Sequence, residues 1–275
     1  MSELRKERIV DDTIINEALR IVEEANCRKI LLRILGAVAV AIHSEDLEYI
    51  QRRLKRLGDK ERRFTDVDFA ACSRQYGEVR KLFEDDLKYT ADKFILMLHG
   101  RSRLIYYHPS ELFHVDIFFD RLEFSHDIIF CSKHKESRLT LDLPTVPLAD
   151  LVLEKTQIHH INEKDIKDII ILLLGHEIGD KEYKEIINAK YIAQILADDW
   201  GLWHDARTNL DKVKKSSEEY LLSALLTREE SKEVIEKVNK LLSYIDEEEK
   251  MKRWRERAKK GTGKSWWREV EEVTR

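Results

Sequence analysis

The stretch RRFTDVDF, Arg62 to Phe69, places two acids one residue apart inside what reads as a short β-strand. Successive strand side chains alternate faces, so Asp66 and Asp68 point the same way while Val67 and Phe69 face a core. The two carboxylates then lie roughly 6 to 7 Å apart and repel unless counterions or a divalent metal sit between them. A third acid, Asp116, stands in the middle of the apolar run LFHVDIFFD, where an unpartnered carboxylate would be costly. Alternation puts His114, Asp116 and Phe118 on one face of that strand. If it neighbours TDVDF, three carboxylates converge. Such a donor set suits two Mg²⁺ or Mn²⁺ ions about 4 Å apart, the clamp used in phosphoryl and nucleotidyl transfer. The competing arrangement leaves Asp66 and Asp68 at a solvated strand end and pairs Asp116 with an Arg or Lys.

Further along, Leu148, Leu151 and Val152 recur at helical spacing and form a core stripe, whereas Asp150, Glu154 and Lys155 share a polar face. An ion pair and a phosphate contact are both open to Lys155. Asn162 reads as a helix cap with Asp165 as the capping acid, and Asp168 repeats three residues on; both acids read as structural. KKGTGKSW resembles the end of a phosphate-binding loop, but Ala258 stands where the first glycine is required and no apolar strand precedes it. HEIGD at His176 lacks the second histidine of HExxH, and the His159–His160 pair has no third ligand at useful spacing, so these read as turn or surface residues. Trp200 and Trp203, three apart, read as core packing. From Lys250 to Arg268 nine Lys or Arg accompany a single acid, Glu256, with Trp254, Trp266 and Trp267 interleaved. That tail is either an amphipathic helix docking its tryptophans or an electrostatic and stacking surface for RNA.

These residues need a scaffold, and the composition supplies one. A chain of 275 residues with 43% hydrophobic content can bury a core of one large or two modest domains. The 49 basic and 53 acidic residues leave −4, so whole-chain charge names no partner and any nucleic-acid surface is local. The abundance of Lys, Glu and Arg with few Gly and Pro leans toward a heat-adapted source. Cys27, Cys72 and Cys131 are isolated and odd in number, which suggests neither a disulfide framework nor a CxxC zinc site and fits a reducing cytoplasm. Met1 to Arg8 is followed by acids rather than a signal-peptide-like apolar run, and no stretch reaches the roughly 18 apolar residues of a membrane span, so a cytoplasmic protein is expected.

Periodicity predicts an α+β first half: a helix over DDTIINEALRIVEEAN, a buried strand KILLRILG ending at Gly36, a helix from Val38 to Leu57, the TDVDF strand, and a helix from Tyr76 to Tyr89. Three strands, FILMLH, RLIYYH and LFHVDIFF, then complete a mixed sheet flanked by helices. After Pro144 and Pro147 helical spacing dominates over Leu148–Gln157, Glu163–Leu174, Lys181–Ala197, Ser216–Leu226 and Ser231–Ile245. The expected domains are residues 1–144, a helical C-terminal domain over 145–249 and a basic tail over 250–275.

Taken in order, LLRILGAVAVAIH, RRFTDVDF and FHVDIFFD resemble the DNA polymerase beta-like nucleotidyltransferase superfamily. Its signature is a strand ending in Gly-Gly or Gly-Ser, a DxD strand and a third acid. The stretch PLADLVLEKTQIHHINEKDIKDIIILL is similar to the helical half of the abortive-infection toxin branch. The resemblance spans about Leu31 to Leu174 and implies a nucleotidyltransferase-like fold. It implies metal-binding and catalytic roles for Asp66, Asp68 and Asp116, and nucleotide contacts at Gly36, Ala37, Arg63 and Lys155. The implied reaction is Mg²⁺-dependent transfer of a nucleoside monophosphate from an NTP to an acceptor hydroxyl, with RNA or tRNA as acceptor, an antitoxin protein as partner, and the helical half completing the nucleotide pocket. Two departures stand out: Ala37 lacks the hydroxyl many relatives aim at phosphate, and the interval from Gly36 to Asp66 is long. The first raises a different expectation, a catalytically silent nucleotide-binding or interaction module. A two-metal phosphohydrolase would use the same acids.

Overall fold

The structure, a computed structural model, describes residues 3–58, 62–132 and 136–269. The chain groups into two compact units, one of Met1–Glu45, Leu57–Leu122 and Ile129–Pro147, the other of Asp46–Arg56, Glu123–Ile128 and Leu148–Arg275. Mixed α and β structure is thus observed, with helices dominating the second unit.

The first unit is built on α1 (Glu3–Cys27), whose Ile14, Ala18, Ile21, Val22 and Ala25 recur at helical spacing and are buried. β1 (Leu32–Leu35) follows, and Gly36 opens α2 (Gly36–His43). The sheet contains β2 (Asp66–Ala71), β3 (Thr90–Ala91), β4 (Arg103–Tyr107) and β5 (His114–Phe119) besides β1, in the order β1-β2-β5-β4-β3. β2 and β5 are parallel and central, and every other pairing is antiparallel. Both α1 and α2 pack against β1 and β2. One sheet face carries Val67, Phe69, Leu104, Tyr106, Val115 and Ile117, all buried. Phe83 stacks on Tyr106 at 4.9 Å and meets Phe69 edge-on, sealing this face.

Several sequence expectations change. FILMLH is not a strand but α5 (Lys93–His99), because the Asp92 carboxylate accepts from the Phe94 and Ile95 amides and starts a helix there. A short apolar run carries no period that separates the two. The helix expected over 38–57 breaks at Ser44, and α3 (Glu48–Leu54) belongs to the second unit. The helix expected from Tyr76 continues beyond α4 (Tyr76–Lys81) as a π turn, Leu82–Asp86.

The cysteine reading is also corrected. Cys72 and Cys131 form a disulfide, their Cα atoms 5.7 Å apart across 59 residues of sequence, and Cys27 alone is free and exposed. Spacing held no hint of this, since the pair meets only where the end of β2 and the segment beyond the β6 (Arg121–Glu123) and β7 (Asp127–Ile129) pair both bond to Asp120.

In the second unit, α6 (Leu148–Thr156) and α7 (Glu163–Gly175) match the expected spans closely. The expected helix over 181–197 instead begins with a strand: β8 (Glu177–Gly179) pairs in parallel with β9 (Ile186–Asn188), and α8 (Ala189–Asp198) follows, capped by Asn188. α9 (Trp200–Leu222) absorbs the helix expected from Ser216, and α10 (Arg228–Glu247) starts with a capping box of Thr227 and Glu230. α11 (Lys252–Ala258) lies in the basic tail, whose last residues, 270–275, fall outside the described residues. Among the described residues no helix is long and apolar enough to cross a membrane.

Candidate metal-binding carboxylate site

Register places the three predicted acids on one face of two adjacent strands. β2 and β5 pair with Asp66 opposite His114 and Asp68 opposite Asp116, so all four side chains project from the sheet face opposite the apolar one. His114 Nε2 lies 3.7 Å from Asp66 Oδ2 and 3.9 Å from Asp116 Oδ2. Asp116 is 4% exposed, whereas Asp66 and Asp68 are half-buried. The cluster is therefore rooted in the sheet and open along one edge.

Arg103, absent from the sequence expectations for this site, completes it. Ile105 pairs with Asp116 and Arg103 with Phe118, which places Arg103 diagonally beside the acid on the same face. Its Nε donates to Asp116 Oδ1 at 3.0 Å and its Nη2 to Oδ2 at 2.9 Å, while the guanidinium covers the Phe118 ring. The competing arrangement is thus largely present: Asp116 pairs with an Arg, and Asp66, the first residue of β2, is partly exposed with Asp68 half-buried beside it. Alternation in RLIYYH could have flagged Arg103, but only once the β4–β5 register is known.

Gly36 has φ +71°, and a Cβ there would lie 2.4 Å from Asp68 Oδ2. The glycine thus both permits the left-handed turn at the end of β1 and leaves the space that the Asp68 carboxylate occupies. Ala37, the next residue, is half-buried in the first turn of α2. Gly36→Ala is expected to lose about 1–2 kcal/mol of stability to the left-handed backbone alone and to displace the Asp68 carboxylate from its place beside Gly36. Chemical denaturation checks the first effect and Mn²⁺ titration the second, which should show weakened binding.

The donor type suits Mg²⁺ or Mn²⁺, three hard-oxygen carboxylates on two adjacent strands, but their oxygens are not gathered within 4.8 Å of one another as two other groups of the described residues are. Each Asp116 oxygen retains a lone pair beyond its hydrogen bond to Arg103.

The remaining predicted residues lie elsewhere. Arg63 is buried and turned toward α1, where its backbone N–H and its Nε both donate to the Asp11 carboxylate, at 3.0 and 3.3 Å. Lys155 belongs to the second unit. Its ammonium sits 3.1 Å from Asp165, 3.2 Å from Asp168 and 3.3 Å from Glu154, and Arg56 donates to Asp168 at 2.8 Å. Burial opposes the lysine charge, but the Asp165, Glu154 and Asp168 carboxylates outweigh it and hold the Lys155 pKa well above the ordinary lysine value. Burial likewise opposes ionisation of Asp168, yet Arg56 and Lys155 hold its pKa below the usual range. Asp165 and Asp168, with Glu154, surround the Lys155 ammonium.

The tail tryptophans are packed. Trp266 Nε1 donates to Asp205 at 2.9 Å, Trp267 stacks on His159 at 3.6 Å, and Trp254 meets Trp203 edge-on. Asp205 also accepts from His126 Nε2 at 2.8 Å and His159 Nδ1 at 2.9 Å. Burial works against its charge, but the bonds from His126, Trp266 and His159 bring its pKa down to about 2. Trp200 is buried, as expected. His159 and His160 lie in a turn, half-buried and exposed respectively, as the turn-or-surface reading expects, whereas His176 is buried, because an isolated histidine reveals no partners in sequence. Lys259, Lys260 and Lys264 are exposed and make no ion pair among the described residues, so the docked tail still presents positive charge.

Comparison of the chain with protein-family models, with curated proteins and with solved structures returned no match.

Proposed function

We propose that the chain is a Mg²⁺- or Mn²⁺-dependent nucleotidyltransferase with a nucleotidyltransferase-like first unit, transferring a nucleoside monophosphate from an NTP to an acceptor hydroxyl. The observation that carries this reading is the in-register pairing of Asp68 with Asp116, with Asp66 on the same face and Gly36 leaving room for Asp68. Divalent ions bound there would polarise the α-phosphate and favour the ionised acceptor hydroxyl. Asp66 and Asp68 would hold them from β2, and Asp116 from β5. Arg103 fixes the Asp116 side chain with two parallel hydrogen bonds and offsets one of the three negative charges. In the reaction the acceptor oxygen bonds to the α-phosphorus, the bond to the bridging oxygen breaks, and pyrophosphate leaves. The exposed lysines of the tail favour an RNA acceptor.

A second reading, a nucleotide-binding or interaction module without turnover, is favoured by Ala37 in place of a hydroxyl residue and by the engagement of both Asp116 oxygens with Arg103. Incubation with each α-labelled NTP, Mn²⁺ or Mg²⁺ and total RNA or protein separates the possibilities. Label in a macromolecule with pyrophosphate release, abolished by Asp66→Asn plus Asp68→Asn, is the expected result. Label released only as free nucleotide would mark a phosphohydrolase, and nucleotide bound but unchanged would leave the silent module.

A further inference from the structure

The Cys72–Cys131 pair lies in the first unit, and none of the chemistry proposed above uses it. Three ligand-bearing side chains meet there, Cys72, Cys131 and Asp120, with both sulfurs and one carboxylate oxygen all within 4.8 Å of one another. Cys72 is buried, and Cys131 and Asp120 are half-buried.

The pair does not depend on its covalent bond for proximity. Asp120 N donates to Ala71 O at 2.8 Å, and Asp120 O accepts from Phe130 N at 2.8 Å and Cys131 N at 3.0 Å. The Asp120 carboxylate accepts from Ser73 N at 2.9 Å and from Ser73 Oγ. Ser137 Oγ, itself donating to Phe130 O, touches both sulfurs, at 3.5 Å to Cys72 and 3.1 Å to Cys131. Five hydrogen bonds centred on Asp120 therefore tie the residues flanking Cys72 to Cys131 when the sulfurs are reduced.

We propose that the reduced pair, with Asp120, is a site for a thiophilic divalent metal of the Zn²⁺ class, and that the disulfide is its metal-free, oxidised form. Two unbonded sulfurs must separate to van der Waals contact. A tetrahedral ion with metal–sulfur distances of about 2.3 Å needs them about 3.8 Å apart, so reduction alone brings the spacing close to what the ion requires. The two thiolates and the Asp120 oxygen make three protein ligands, and water completes the tetrahedron. The bonds from Ser73 orient the carboxylate.

The interconversion balances. A dithiol reductant attacks the more accessible Cys131 sulfur as thiolate, forming a mixed disulfide and releasing the Cys72 sulfur. Its second thiolate then closes its own disulfide, so two electrons and two protons pass to the protein. The ion displaces those two protons on binding.

The test uses the full chain carrying Cys27→Ser, which removes the exposed third thiol. The protein is prepared oxidised and, after dithiol treatment and removal of reductant, reduced. Each form is titrated with Cd²⁺ while the ultraviolet thiolate-to-metal charge-transfer band and the circular dichroism spectrum are recorded. A thiolate-to-metal band saturating at one Cd²⁺ per reduced chain is expected, with no band in the oxidised chain, none after Cys131→Ser, and affinity read from the band at least about tenfold weaker in Asp120→Asn. The two thiols should also become protected from a thiol reagent. A folded, reduced chain that gives no charge-transfer band overturns the proposal, as does a band that survives Cys131→Ser. So does a reduced chain that has lost its native circular dichroism, because the site would then depend on the covalent bond.

Discussion

Asp116→Asn is expected to reduce nucleotidyl transfer by at least about a hundredfold, the scale on which removal of a positioned acid–base or metal-binding group acts, while NTP binding persists. The amide keeps the shape of the side chain but removes the charge that shares a sheet face with Asp66 and Asp68. It also exchanges one acceptor oxygen for a donor facing Arg103, so the two parallel hydrogen bonds become one. Arg103 is partly solvent-accessible and can turn to water, which limits the stability loss to about 1.5–3 kcal/mol, the range for a hydrogen bond to a charged group. Removal of one of three neighbouring negative charges works in the opposite direction. A labelled-nucleotide assay beside a thermal melt checks both effects. Arg103→Lys provides the control: it preserves the positive charge but not the planar fork. If the only function of Asp116 is to pair with Arg103, the lysine variant should lose stability and keep its activity, and Asp116→Asn should do the same. A folded Asp116→Asn protein with normal specific activity would sink the catalytic assignment.

Lys155→Met is expected to destabilise the second unit by about 3–5 kcal/mol, the cost of stranding buried charge. Methionine fills similar space, so packing changes little, but Glu154, Asp165 and Asp168 lose their shared cation, while Arg56 stays paired with Asp168. Adding Asp165→Asn should restore part of the loss, because the two sites are coupled through one contact. The pH dependence has a definite sign. The Lys155 pKa is raised on folding, so its contribution is fully present below the unfolded value of about 10.4 and is lost as pH rises through the folded value. Asp168 is shifted down, so its contribution is present above about 3.9 and is lost as pH falls through its folded value. Wild-type stability from this cluster therefore spans the interval between roughly 4 and 10, and the variant loses the alkaline limb. Denaturation at about pH 5 and about pH 8 should show a smaller deficit at the lower pH, where the stranded acids begin to protonate. A deficit under about 1 kcal/mol at both pH values would indicate that solvent reaches the cluster and screens it.

The sequence by itself determined the features that depend on neighbours along the chain. Two-residue alternation put Asp66 and Asp68 on one face and Asp116 on the face of His114. Helical spacing located α1, α6, α7 and most of α10, and Asn162 marked the start of α7 by its capping chemistry. It left FILMLH ambiguous because a six-residue apolar run is shorter than the window in which the two periods separate, and the capping bonds of Asp92 decided for helix. Pairings between distant segments were decided by the tertiary structure alone. The parallel register of β2 with β5 set Asp68 opposite Asp116, and the β4 register brought Arg103 to that acid rather than to another. Arg63 turned to Asp11, Lys155 to a nest of three carboxylates, and the tail tryptophans to His159, Asp205 and Trp203. Cys72 met Cys131 across 59 residues. An arginine, a lysine or a cysteine has no periodicity that names its partner. Which charge is neutralised, and which sulfur is within reach, follows from strand order and register, which are fixed by burial of the apolar face as a whole.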